Sequence, residues 1–134
     1  MADPPPFEAR KPGTPGGDGR KALGARGEDA AVKFLSAHGL RVLERNYRCR
    51  FGELDIVALD GETVVFVEVK LRFHPFDPFD AVDERKQGQI SRAAFDFLER
   101  RAMLDRPARF DVIAVEGRTH LCDHVVDAFE SVLD

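Results

Sequence analysis

The chain has 134 residues, 43% hydrophobic and 33% charged, with a formal net charge of −4 at pH 7. That length suits one domain with room for a real core. No apolar run approaches the roughly 18 residues of a membrane span, and no apolar h-region of a secretory signal opens the sequence, so a cytoplasmic protein without membrane contact is expected.

Cys49 and Cys122 are the two cysteines, lack metal-ligand spacing and are expected as free thiols. The net charge does not advertise a nucleic-acid binder, but it hides clustering. Arg41, Arg45, Arg48 and Arg50 form one basic group, Arg85, Lys86 and Arg92 a second, and Arg100, Arg101, Arg106 and Arg109 a third. Each is either a binding patch or part of a solvated, mixed-charge surface.

Residues 1–20 are rich in Pro and Gly and read as a disordered tail, leaving 21–134 as the folded domain. From Lys21 to Ala37, apolar residues recur at three- and four-residue spacing, which predicts a helix with Gly39 at its C-cap. Arg41 to Arg48 reads as a strand. Two apolar, β-branched runs follow on either side of Asp60-Gly61, the signature of a hairpin with a two-residue type I′ turn. Phe73 to Phe79 holds His74, two prolines and three phenylalanines. It reads as an apolar loop that either tucks against the domain or meets a partner. A second helix is predicted over Asp83–Met103, a strand over Arg109–Val115, and a short strand plus a terminal helical turn over Leu121–Leu133. This order implies an α/β domain: a mixed central β-sheet flanked by helices.

With Asp60-Gly61 as the loop, Leu59 faces Glu62, Asp55 lies opposite Phe66, and Glu53 lies opposite Glu68. Alternation then puts Glu53, Asp55, Glu68 and Lys70 on one face, with Asp55 and Glu68 diagonal at about 7–8 Å. The other face carries Leu54, Ile56, Ala58, Thr63, Val65, Val67 and Val69. The first face is apolar near the turn too, so the hairpin is expected at the centre of a sheet covered on both sides. Ionised groups at the mouth of such a sheet need partners or a metal. Two carboxylates supply hard oxygen ligands suited to Mg or Mn, and Lys70 adds positive charge where a transition state gains negative charge. That chemistry is phosphodiester hydrolysis. A strand-end acid and a surface ion pair are the plain alternatives for Asp55 and for Glu68 with Lys70. Glu53 reads as a rim acid, and no motif places His74.

Glu53-Leu54-Asp55-Ile56-Val57 followed by Phe66-Val67-Glu68-Val69-Lys70 resembles the PD-(D/E)XK nuclease superfamily. Adding Gly24-x-x-Gly27-Glu28, Tyr47-Arg48, Lys86-Gln87 and Arg109-Phe110-Asp111-Val112, residues 20–130 resemble the bacterial YraN-like family, which is related to archaeal Holliday junction resolvases. The resemblance implies a restriction-endonuclease-like fold. It implies Glu28, Asp55, Glu68 and the Val69 carbonyl as ligands of Mg or Mn, Asp55, Glu68 and Lys70 as catalytic residues, and Gln87 as a helical polar residue lining the site. The superfamily's proline is absent, and Gly52-Glu53 stands before Asp55 instead. The expected function is a metal-dependent DNA endonuclease, with branched DNA as a candidate substrate and a homodimer as a candidate assembly. The alternatives are a non-catalytic nucleic-acid- or partner-binding module and an RNA nuclease.

Overall fold

In the computed structural model, which describes residues 19–73 and 82–131, the chain runs α1 (Gly19–Ala37), β1 (Arg41–Cys49), β2 (Gly52–Asp60), β3 (Thr63–Arg72), α2 (Glu84–Arg100), β4 (Ala108–Glu116) and β5 (Cys122–Phe129). The five strands form one sheet in the order β1-β2-β3-β4-β5. β3 and β4 pair in parallel and the other neighbours pair antiparallel, so the sheet is mixed. A parallel pair needs a crossover, and α2 supplies it.

The helices cover opposite faces. On one side Ala31 and Leu35 of α1 pack with Ile56, Ala58, Val65, Val67, Ile113 and Val115. On the other, Ile90, Ala93 and Phe97 of α2 pack with Val57, Leu59, Val64, Phe66 and Val112. β2, β3 and β4 are therefore buried on both faces, which explains their near-continuous apolar runs. α1 stops at Gly39, whose φ of +87° is costly for other residues, and the Leu40 N–H returns to the Leu35 carbonyl. α2 starts at Asp83, whose Oδ1 accepts from the Lys86 N–H at 2.8 Å.

The hairpin differs from expectation at its turn. Asp60 pairs with Thr63, so Gly61 and Glu62 form the loop instead of Asp60 and Gly61. Gly61 has a φ of +60° and Glu62 is not among the positive-φ residues, which suits a type II′ turn and not I′. Paired numbers consequently sum to two more than expected. A shift of two preserves the alternation of faces, so only the residues facing one another change.

Leu54 is a second correction. It belongs to the α2-side core, not to the face of Ile56 and Ala58. The β2–β3 ladder begins at Ile56–Val67; ahead of it Leu54 stays paired with Tyr47 of β1, beyond the reversal at Asn46, and faces Phe97 and its neighbours with it. At the C-terminus the chain forms β5, and Glu130 and Ser131 are not helical; the expected terminal turn beyond them lies outside the described residues, as do residues 1–18 and the loop from His74 to Phe79.

Candidate functional site

The site forms where β2 and β3 part. Asp55 is one residue ahead of Ile56, the first residue of β2 that pairs with β3, and Glu68 is one residue beyond its partner, Val67. With the ladder ended, the Val69 N–H donates to Asp55 Oδ2 at 2.9 Å. A side chain thus takes over a backbone donor of β3, and this fixes the Asp55 carboxylate against the strand that carries Glu68 and Lys70.

Glu68 is 8% exposed, unusual for a carboxylic acid. Burial pushes its pKa up to about 8, the Asp55 charge pushes the same way, and Lys86 and Lys70 pull against both. A hydrogen bond between the two acids also favours protonated Glu68. Glu68 is therefore pushed toward its protonated form, because burial and the neighbouring Asp55 charge both disfavour a second negative charge there. Lys86 Nζ approaches Glu68 Oε1 at 3.9 Å.

Glu28 reaches toward the same end of the sheet from α1. Its Oε2 accepts from Asn46 Nδ2 at 3.2 Å and from Arg45 Nη2 at 3.4 Å. Burial raises its pKa and the Asp55 charge adds to the rise, while Asn46 and Arg45 oppose it. Asn46 adopts a φ of +54°, a conformation that asparagine tolerates better than most residues. That local reversal of β1 lets adjacent residues Arg45 and Asn46 both face Glu28.

The structure thus brings Asp55, Glu68 and Lys70 together, with Val69 attached through its N–H and Glu28 close enough to feel Asp55. Among the described residues, no three His, Cys, Asp or Glu side chains close into a set able to share one ion. Asp55 and Glu68 are the pair that could hold a hard cation. Gln87 is committed elsewhere, its Nε2 donating to the Val82 carbonyl at 2.7 Å. Glu53 pairs with Arg48 at 3.4 Å on the rim. His74 lies outside the described residues. Lys86 is the residue that sequence reasoning did not place in the site. It stands in the first turn of α2, and only the tertiary fold brings that turn to β3.

Residues 27–115 match the model of a family described as "Uncharacterised protein family UPF0102". The chain belongs to the UPF0102 family. A UPF0102 protein of Geobacter metallireducens is 50% identical over 114 residues, covering 82% of this chain and 93% of the relative. One from Myxococcus xanthus is 44% identical over 116 residues, covering 84% and 92%. One from Pseudomonas syringae pv. tomato is 48% identical over 101 residues, covering 73% and 79%. The UPF0102 match spans α1 through β4 and so includes Glu28, Asp55, Glu68, Lys70 and Lys86. No helix is long and apolar enough to cross a membrane among the described residues.

An acid pair flanked by two lysines can bind and orient a group whose charge is itself divided. Its negative half attracts a cation, and Lys70 and Lys86 attract an anion. Phosphate esters accompanied by a divalent ion have that composition.

Proposed function

We propose that this UPF0102 chain is a metal-dependent endonuclease that hydrolyses phosphodiester bonds in DNA, on a restriction-endonuclease-like α/β fold of the PD-(D/E)XK type. The observation that carries the proposal is geometric: the Val69 N–H holds Asp55 at 2.9 Å against the strand of buried Glu68, with Lys70 on the same strand and Lys86 approaching Glu68 at 3.9 Å. A buried carboxyl group pushed toward its protonated form beside a second acid marks a place where positive charge is missing. Hard oxygen donors of this kind fit Mg or Mn, and a doubly charged ion would relieve the crowding that the proton now relieves. Asp55 and Glu68 would hold the ion, with the Val69 carbonyl as a further oxygen and Glu28 from the neighbouring helix. When bound, such an ion polarises a phosphate oxygen and makes water a better nucleophile.

The remaining roles belong to the chain itself. The Val69 N–H keeps Asp55 from rotating away, so the pair is positioned before substrate arrives. Lys70 and Lys86 set ammonium groups around the acids, where they neutralise the charge that grows on the phosphoryl oxygens. The buried surroundings of Glu68 strengthen both effects by lowering the local dielectric.

A second reading, a non-catalytic nucleic-acid- or partner-binding module, is favoured by Gln87 capping its own helix approach and by the open ligand set. One experiment separates the two. Purified protein with Mn²⁺ or Mg²⁺ is offered linear, flap, splayed and four-way DNA, with Lys70→Ala and Asp55→Ala as controls. Ion-dependent nicking that both variants abolish is the expected result. Binding without cleavage, and no heat of Mn²⁺ binding by calorimetry, would select the module. Cleavage that survives both substitutions would end the nuclease proposal.

A further inference from the structure

We propose that the outer stripe of α2 and the β1–β2 turn form a track for the DNA phosphate backbone leading to the carboxylates. This rests on the nuclease reading and specifies how its substrate is held. Arg85, Gln89, Arg92, Asp96 and Arg100 follow one another at spacings of four, three, four and four, so they share one face of α2. The buried face of the same helix is formed by Ile90, Ala93, Ala94 and Phe97, which leaves this stripe pointing outward on the β1–β2 side. There the turn comes close: the Cβ position of Gly52 is 3.8 Å from Gln89 Cβ. The turn carries exposed Arg50, which lies close enough to help lower the Asp96 pKa, behind the Tyr47 hydrogen bond and Arg100. Arg50 is also fixed in place, with its guanidinium 4.7 Å above the Phe51 ring.

Five cations therefore line this surface of a chain whose net charge is −4: Arg50, Arg85, Lys86, Arg92 and Arg100. Two acids lie among them, Asp96 paired with Arg100 and exposed Glu99, seven positions beyond Arg92 on the same face. Arg85 and Arg92 have no ion-pair partner among the described residues, so their charge faces solvent. Lys86 joins the stripe to the site through its 3.9 Å approach to Glu68. Fifteen residues separate Arg85 from Arg100, and at ~1.5 Å per residue the stripe is about 22 Å long. A duplex advances ~3.4 Å per base pair, so six or seven base pairs match that length. A straight cationic ridge of this length, ending at paired carboxylates, suits a regular polyanion better than a globular protein partner.

The test is fluorescence anisotropy with a 30-base-pair duplex in EDTA across a salt series, so that binding is read without cleavage. Wild type is compared with Arg50→Glu/Arg92→Glu and with Lys33→Glu, which reverses an exposed charge on α1 instead. Thermal melting establishes that each variant is folded. The double variant should bind at least ten-fold more weakly and show a shallower salt slope, while Lys33→Glu matches wild type. Arg85→Ala, a milder single change, should reduce the slope by about one. Equal loss in the Lys33→Glu control, or none in either α2 variant, would overturn the track while leaving cleavage by the wild type to be judged separately. Cleavage failure with intact, stripe-dependent binding would instead remove the nuclease reading alone. Stronger stripe-dependent binding to single-stranded RNA than to duplex would overturn the choice of DNA.

Discussion

Two buried acids on adjacent central strands have opposite circumstances. Asp111 on β4 is 0% exposed, yet every side of its carboxylate is answered. Arg109 Nε donates to Oδ1 at 3.1 Å, His124 Nε2 to Oδ2 at 2.8 Å, and the Asp127 N–H to Oδ1 at 2.9 Å. Arg109 is itself steadied by Asp60, at 2.8 Å from its Nη1. Glu68 on β3 is nearly as buried, but its close partners are another acid and a lysine at 3.9 Å. Burial alone does not set the circumstances of these two acids. What distinguishes them is whether the fold supplies the opposite charge or leaves the demand open.

The comparison predicts opposite effects of removing each carboxylate, and the larger belongs to Asp111. Asp111→Ala leaves Arg109 and His124 facing an apolar gap and releases the Asp127 N–H that pins β5. Breaking a buried pair from one side costs about 3–5 kcal/mol. Urea unfolding should show that loss, and a cost below ~1 kcal/mol would break the comparison. Arg109→Met with Asp111→Leu, which removes charge from both sides, should cost less than the single change.

Much of this was legible in the sequence, for reasons that can be named. Asp55 and Glu68 come out as neighbours although the turn lies one residue later than the sequence suggests, because that moves the pairing by two and keeps both at the same end of the hairpin. Leu54 was misassigned because alternation assumes a regular strand, and its partner Tyr47 lies beyond the reversal at Asn46. Lys86 was missed because no local pattern tells which turn of a crossover helix ends beside which strand. Asp111 appeared only as part of a motif. Two of its partners, His124 and Asp127, arrive from β5, whose exposed Val125 and Val126 gave no clear strand pattern.

Glu68→Gln sharpens the contrast from the other side. The folded-state pKa of Glu68 lies above its ordinary value of 4.5, so the native state binds its proton more tightly than the unfolded chain does. That contribution is fully present below about pH 4.5 and is lost as pH rises toward 8. Glutamine keeps the shape and needs no proton. The variant should therefore match wild type near pH 4.5 and exceed it near pH 8 by on the order of 1–2 kcal/mol. Identical pH profiles for the two proteins would show that Glu68 carries no such demand.

A divalent ion should act on the same deficit. Mn²⁺ at a hundred times its dissociation constant would stabilise wild type by about 2.7 kcal/mol. Binding should release protons near neutral pH, because the ion displaces the one held by Glu68. Thermal melting at pH 6 and pH 8 reads this as a larger shift at the higher pH. Glu68→Gln should abolish most of the shift, and Asp111→Asn, if folded, should leave it intact.

Glu28 falls between the two extremes and gives the smallest effect. It has an answering cation in Arg45 and a donor in Asn46, but burial and Asp55 still raise its pKa. Asn46 does two things at once, since it holds a φ of +54° and donates to Glu28. Asn46→Gly keeps the backbone conformation and removes only the donor, so it should cost about 1 kcal/mol or less. Asn46→Ala loses the donor and strains the backbone as well, adding about 1 kcal/mol. The difference between the two variants isolates conformation, and the glycine variant isolates the hydrogen bond. If Glu28 serves the metal site, Asn46→Gly should also weaken Mn²⁺ stabilisation more at pH 6 than at pH 8, because a Glu28 that has lost a donor keeps its proton to higher pH. Equal weakening at both values would assign Asn46 to the shape of β1 alone.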